Sequence, residues 1–395
     1  MKNLMASFKK RFILTIIHIL NVLPIKNNKI FLFSYYGSQY GDNPKYISEY
    51  IVANFPDNKF DIVWAFNDLE SKRNLTGIKK VKVMSFTYFY HLCTAKVIIT
   101  NYRTTEMFIK RKKQYYIQTW HSSLRLKHIE KDAEHSLPEH YVQMAKQDSL
   151  KCDLLLSGCK LSTEIFQRSF WYDGEILEIG TPRNDILFHK NPAMREQVLS
   201  ALHLPIDHNI VLYAPTFRKN NNLDVYDINY SQLLASLKNK FGGEWIVLVR
   251  LHPHLLSKAK ELPFSNDVIN VTSYDDIQQL LSVADVLISD YSSLMFDYSF
   301  TQRPCFLYVP DVEEYSSTER KLYFELWELP YISAFSNNDL LNKVENFDRE
   351  EYERNLKQFL ARIGTFEEGK ACESLIKRID EVCFENERRQ MNEAV

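Results

Sequence analysis

Short continuous apolar runs recur along the chain and alternate with stretches whose apolar residues fall at helical spacing. KIFLFS (29–34), FDIVWAF (60–66), KVIIT (96–100), YYIQTW (115–120), DLLLS (153–157) and EILEIG (175–180) read as strands. Between them, 44–55 and 138–152 each open on a proline and continue at helical spacing. The alternation restarts with IVLYAP (210–215), WIVLVRLHP (245–253), DVINV (267–271), DVLIS (285–289) and CFLYV (305–309). Strands that are apolar throughout are buried on both faces, so two parallel sheets covered by helices are expected, an α/β protein of two doubly wound, Rossmann-like domains. The pattern divides the chain into a basic amino-terminal helix (1–28), a first domain (29–185), a second domain (186–340) and charged carboxyl-terminal helices (341–395) packing across both. A hinge is expected within 180–192, and the polar stretch 219–227 reads as a mobile insertion.

The stretch DVLISDYSSLMFDYSFTQRPCFLYVPDVEEY (285–315) condenses this plan into one βαβ unit. Its first strand ends in Ser289-Asp290-Tyr291-Ser292-Ser293, side chains that favour a helix start because their oxygens accept backbone N–H groups. An amphipathic helix is expected to open near Ser292, and its free N–H donors together with two hydroxyls suit a phosphate.

Composition narrows the class. A chain of 395 residues exceeds one typical core, and 45% hydrophobic, 25% charged and 13% aromatic residues exclude a disordered or low-complexity polymer. The net charge of −1 offers no general attraction to nucleic acid, and the basic residues are not interleaved with aromatics along one face. Charge is uneven, however: Lys2, Lys9, Lys10, Arg11, Lys26 and Lys29 all precede Asp42, the first acidic residue. The apolar run 12–25 is shorter than the roughly 20 residues a bilayer requires and holds His18 and Asn21. It reads as an interfacial anchor on the cytoplasmic membrane face, in preference to a helix packed on the protein's own surface, and not as a transmembrane span or a cleaved signal. The six cysteines contain no C-x-x-C pair and fit a reducing compartment.

Candidate chemistry gathers after the strands. Trp120-His121-Ser122-Ser123, Gly180-Thr181-Pro182-Arg183-Asn184-Asp185, Ala214-Pro215-Thr216-Phe217-Arg218, Arg250-Leu251-His252-Pro253-His254 and the serine turn each follow an apolar run. Taken singly, a histidine is usually structural and a strand-end arginine usually solvated. Five such ends in two domains point instead to a ligand. Arg183, Arg218 and Arg250 are forked donors suited to phosphate oxygens, and Ser292-Ser293 would hold a second anion, a combination that describes a diphosphate. His121 and His252 then supply proton transfer near neutral pH. Asp275-Asp276 precedes a helix and reads as a cap, and no metal-ligand spacing or bound cofactor is expected.

In QTWHSSLRLK (118–127), GTPRND (180–185), YAPTFR (213–218), RLHPH (250–254), SDYSSLMFD (289–297) and RPCFLYVPD (303–311) the chain resembles the CDP-glycerol glycerophosphotransferases of teichoic acid and capsule synthesis. The resemblance implies a GT-B fold, its two domains facing a cleft, and transfer of glycerol phosphate or a similar polyol phosphate from a CDP-activated donor to a hydroxyl of a lipid-linked acceptor, releasing CMP. It implies His121 as base and His252 as a second essential histidine. It places Arg183, Pro215, Thr216, Arg250, Ser292, Ser293 and Asp297 at the donor, with Ser122, Ser123, Leu124, Arg125, Arg218 and Leu251 completing the substrate-binding set. The family usually has glycine after the W-H pair, and Ser122 stands there in this chain. The competing readings are a sugar transferase of the same fold and a non-catalytic binder of anionic wall polymer.

Overall fold

The structure, a computed structural model, describes residues 2–218, 227–251, 264–318 and 320–393. The chain folds into two compact units: residues 1–121, 129–185 and 366–395 form the first, and 122–128 with 186–365 the second. The break after Asp185 falls within the stretch expected to carry the hinge. The linear domains expected from sequence differ from this in two places. Residues 122–128 belong to the second unit, and the carboxyl-terminal helices divide at 365/366.

In the first unit the order is α1 (Lys2–Leu20), β1 (Lys26–Phe33), α2 (Asp42–Asn54), β2 (Asp61–Phe66), β3 (Lys79–Lys82), α3 (Phe86–Thr94), β4 (Ala95–Thr100), β5 (Tyr115–Gln118), α4 (Glu139–Ser149), β6 (Leu154–Ser157), α5 (Lys160–Ser169) and β7 (Glu175–Glu178). Every pairing is parallel, in the order β3-β2-β1-β4-β5-β6-β7. Successive residues of β1 serve opposite faces. Ile30 and Leu32 join Trp64, Ile99 and Ile117 under α2, whereas Phe31 and Phe33 join Val63, Ile98 and Tyr116 under α3. Strand β3 escaped the sequence pattern because, as an edge strand KKVK, it buries only Val81.

The second unit runs α6 (Pro192–Ala201), β8 (Asn209–Tyr213), α7 (Tyr230–Phe241), β9 (Trp245–Val249), β10 (Val268–Asn270), α8 (Ile277–Val283), β11 (Val286–Ser289), α9 (Leu294–Tyr298), β12 (Cys305–Tyr308), α10 (Val312–Thr318), β13 (Ile332–Ala334), α11 (Asn337–Glu345) and α12 (Arg349–Ile363). Its sheet is again parallel, β10-β9-β8-β11-β12-β13, and the three-residue β13 was too short to register as a strand. Asp276 caps α8 by accepting the Gln278 N–H at 3.0 Å. The stretch expected to be a mobile insertion lies, apart from Asp227, outside the described residues.

Two helices differ from expectation. Residues 26–28 belong to β1, and α1 lays Ile13, Ile17 and Leu20 against Phe89 and Cys93 while Phe8, Phe12, Ile19 and Val22 stay exposed. No helix among the described residues is long and apolar enough to cross a membrane. Beyond α12 the chain returns to the first unit as α13 (Ala371–Glu393), whose Leu375, Ile376, Ile379 and Cys383 fill the α2 face of that sheet. Each fully buried apolar side chain of this kind contributes about 1.5–3 kcal/mol. All six cysteines are unbridged.

Candidate active site

Both sheets change winding direction once, between β1 and β4 in the first unit and between β8 and β11 in the second. Such switch points, at the carboxyl ends of the strands, are where open α/β sheets hold ligands.

In the first unit β5 ends at Gln118, and the next turn is pinned on both sides. The Trp120 N–H donates to Gln118 Oε1 at 3.0 Å, and the Trp120 carbonyl accepts from Asn43 Nδ2 at 3.1 Å. Trp120 adopts a left-handed φ of 50°, and its indole stacks on the His121 imidazole with centroids 4.6 Å apart. Tyr102 meets the same imidazole at 5.7 Å. His121 is therefore held between aromatic neighbours, half-buried, at the end of a central strand.

Asn43 precedes the proline expected to open the helix 44–55 and carried no functional expectation. Its Oδ1 accepts the Arg183 N–H at 2.9 Å, so one buried side chain ties the His121 turn to the Gly180–Asp185 turn. Asp42, at φ 59°, accepts Arg183 Nη1 at 2.8 Å and the Tyr35 hydroxyl at 2.5 Å. Burial, then the Asp42 carboxylate, push the Tyr35 hydroxyl well above its ordinary range, so it remains a neutral donor. The Gly180–Asp185 turn is a structural knot. Thr181 and Asn184 donate to the Glu367 carboxylate, and Asp185 accepts the first N–H groups of α13 from Ala371 and Cys372. Gly180 needs to be glycine: at φ 86° an added Cβ would come within 2.8 Å of Glu367 Oε2. Arg183, expected to be an open fork for phosphate, is thus already paired with a buried carboxylate.

Asn43→Ala should leave the Trp120 carbonyl and the Arg183 N–H without their partner, at about 1–3 kcal/mol per unsatisfied group. A fall in the urea midpoint together with slower turnover is expected. A midpoint equal to that of the unmodified chain would remove Asn43 from this role.

In the second unit, Pro215 and Thr216 follow β8, and the serine turn follows β11. Asp290 draws them together: one carboxylate accepts the Thr216 N–H at 2.9 Å, its hydroxyl at 2.6 Å and Arg218 Nη2 at 2.9 Å. Arg218 also donates through Nε to Asp311 at 2.6 Å and lies 5.0 Å from the Tyr291 ring and 4.9 Å from the Tyr315 ring. Burial opposes its charge, but Asp290 and Asp311 outweigh that and hold its pKa above the ordinary value. A buried guanidinium neutralised by two carboxylates organises the turn rather than offering itself as a phosphate fork, the same correction as for Arg183.

The helix expected to open near Ser292 is only five residues long, continued by a 3-10 turn (Ser299–Thr301), and Met295–Tyr298 are buried on all sides rather than amphipathic. Its short dipole adds little for an anion, which leaves the hydroxyls of Ser292 and Ser293 as the groups of interest. Ser292 Oγ accepts the Leu294 N–H at 3.4 Å, and Ser293 Oγ accepts the Leu126 N–H at 3.3 Å. Ser293 thereby holds the segment 122–128, as does Asp297, which accepts the Ser123 N–H at 3.3 Å. The segment is further fixed by the His128 N–H to the Lys321 carbonyl and the Tyr323 N–H to the Leu126 carbonyl. Leu124 is fully buried in it, and Arg125, also buried, donates to the Ser122 carbonyl at 3.0 Å. Ser122, where the family usually has glycine, is buried and its hydroxyl has no hydrogen-bond partner among the described residues. Arg250 and Leu251 stand at the end of β9, bonded through their N–H groups to the Tyr213 carbonyl and Thr272 Oγ1. His252 lies outside the described residues.

Comparison with known proteins gives one consistent answer. The family model for CDP-glycerol:poly(glycerophosphate) glycerophosphotransferases matches residues 15–381. The teichoic acid poly(glycerol phosphate) polymerase of Staphylococcus epidermidis is 32% identical over 88% of this chain, which spans half (50%) of that relative's length. The polymerase of the same name from Bacillus spizizenii is 29% identical over 92% of this chain and 95% of its own, and the teichoic acid glycerol-phosphate transferase of Staphylococcus aureus is 28% identical over 96% and 99%. A structure of the wall teichoic acid polymerase TagF superposes with a TM-score of 0.82 at 28% identity over 97% of both chains. A histidine-to-asparagine TagF variant soaked with CDPG gives 0.80 at 30% identity, over 92% of this chain and 90% of that one. The fold is accordingly GT-B. With a family model extending over nearly all of its length and relatives aligned from end to end, this chain belongs to the CDP-glycerol:poly(glycerophosphate) glycerophosphotransferases.

Proposed function

We propose that the protein transfers glycerol phosphate, or a closely similar polyol phosphate, from a CDP-activated donor to a hydroxyl of a lipid-linked acceptor in teichoic acid or capsular polymer synthesis. The observation that carries this reading is the second unit's switch point. There Asp290 gathers Thr216 and Arg218 beside the Ser292-Ser293 hydroxyls, with Arg250 on the adjoining strand end. The Ser292 and Ser293 hydroxyls and the Arg250 guanidinium at such a point suit the two phosphates of the donor, while the paired Arg218 holds the turn in place. His121 takes the proton from the acceptor hydroxyl as that oxygen forms its bond to the phosphorus bearing the polyol. The bond from that phosphorus to the bridging oxygen breaks, and CMP leaves with the electron pair. His252 is assigned to the transferred phosphate or the leaving group. Mass spectrometry of products made from CDP-glycerol and CDP-ribitol in turn, with a lipid-linked disaccharide acceptor, tests the reading. A product heavier by one or more polyol phosphates is expected, and cleavage of neither donor would overturn it.

Membrane association is part of the same proposal. Helix α1 packs one face on α3 and leaves Phe8, Phe12 and Ile19 exposed, with Lys9 and Arg11 beside them. That combination suits a surface of anionic lipid. Phe12→Asp with Ile19→Asp should weaken co-sedimentation with anionic vesicles at least about tenfold, since each apolar side chain buried in lipid contributes about 1.5–3 kcal/mol. Salt should weaken it further, at about 1 kcal/mol per basic residue engaged. Unchanged sedimentation of the double variant would locate the attachment elsewhere.

A further inference from the structure

The first unit's switch point carries two aromatic side chains, Tyr36 and Tyr102, that the transfer mechanism leaves unused beside its base. Loops after β1, β4 and β5, three neighbouring strands, bring together Tyr36, Tyr102 and His121. The Tyr36 and Tyr102 rings meet edge to face with centroids 5.2 Å apart, and Tyr102 continues to the His121 imidazole at 5.7 Å and 31°. Tyr35 supports Tyr102 from another side at 5.1 Å, and its N–H donates to Asn101 Oδ1 at 3.1 Å, joining the β1 and β4 loops.

The corner is strained. Tyr35, Tyr36, Asp42 and Trp120 all adopt left-handed backbones, with φ between 48° and 59°. Each such non-glycine residue costs about 1–3 kcal/mol, and strain of this kind collects at ligand sites. One product of it is that Tyr36, a large aromatic, stands 40% exposed rather than folding into the core.

We infer that Tyr36 and Tyr102 form the acceptor subsite, an aromatic surface for an uncharged, ring-shaped, hydroxyl-bearing unit, a pyranose, one of whose hydroxyls reaches His121. This rests on the assignment of His121 as base, because whatever gives its proton to that imidazole must also lie against the rings beside it. Aromatic faces take up the C–H face of a sugar by removing it from water while leaving the ring hydroxyls at the edge. The local charge favours a neutral ligand over a phosphodiester chain. Arg103 is held by Glu130 and Asp148, and Arg183 by Asp42. Burial, then Tyr102 and the Asp148 carboxylate, push the Tyr36 hydroxyl up to about 12, so it serves as a neutral donor.

The test uses the full chain and two soluble probes, an octyl glycoside of an N-acetylhexosamine disaccharide and a short glycerol phosphate oligomer, titrated by calorimetry. The disaccharide should bind, Tyr36→Ala should weaken it about tenfold or more, and Tyr36→Phe, which keeps the ring, should stay within about threefold. In turnover, Tyr36→Ala should raise the acceptor KM by a similar factor and leave the CDP-glycerol KM within about twofold. Wild-type disaccharide affinity in Tyr36→Ala, or Tyr36-dependent binding of the glycerol phosphate oligomer in place of the disaccharide, would overturn the subsite. If the disaccharide binds through Tyr36 but CDP-glycerol is never consumed, the subsite stands and the proposed transfer falls.

Discussion

His121→Ala is expected to slow transfer by about 10² to 10⁴, the usual share of a general base, while the apparent affinity for the CDP donor changes far less. The asymmetry follows from placement. His121 sits after β5 of the first unit, whereas Thr216, Ser292, Ser293 and Arg250 belong to the second and are untouched by the substitution. His121→Gln preserves size but offers no basic nitrogen, and it should do little better. Steady-state kinetics with donor and acceptor varied separately would check both. If His121→Ala keeps more than about a tenth of the rate, the base assignment is wrong and His252 becomes the candidate.

Arg103→Met should cost about 3–5 kcal/mol of folding stability, the penalty for leaving buried carboxylates without their cation. Arg103 is almost wholly buried, pairs with Glu130 at 2.9 Å and Asp148 at 3.2 Å, and lies 3.6 Å from the centre of the Phe170 ring. Burial disfavours its charge, yet the two carboxylates outweigh that and hold its pKa above the ordinary value. The partly exposed Arg378–Glu175 pair is closer still, at 2.6 Å, but its replacement should cost no more than about 1 kcal/mol because water screens it. Distance does not decide the ranking; burial does. Denaturant unfolding of the two variants side by side would show the contrast, and an Arg103→Met midpoint no lower than that of Arg378→Ala would refute the argument.

How much of this was legible in the sequence depends on the range over which each feature is determined. The central strands could be read because their residues are apolar on both faces, a property of the strand itself. Strands β3 and β13 could not, since edge position lets one alternate with lysine and the other shrink to three residues. The family and the GT-B fold followed from motifs at strand ends. The roles of the arginines within those motifs did not, because Arg183 and Arg218 are decided by Asp42, Asp290 and Asp311, carboxylates distant from them in sequence. Asn43 was hidden for the same reason. Its only local signal was an Asx residue before proline, at the start of α2. The assignment of 122–128 to the second unit likewise rests on hydrogen bonds from Ser123 and Leu126 to Asp297 and Ser293 that no local pattern announces.

The return of α13 to the first unit also constrains how the molecule is made. Its Leu375, Ile376, Ile379 and Cys383 close one face of a sheet whose first strand begins at Lys26. During synthesis that face stays open to water until residues beyond 371 have left the ribosome, by which time the residues of the second unit have all been translated. The unit that starts first therefore finishes last, and its apolar α2 face is the surface a nascent-chain chaperone would meet for the longest time.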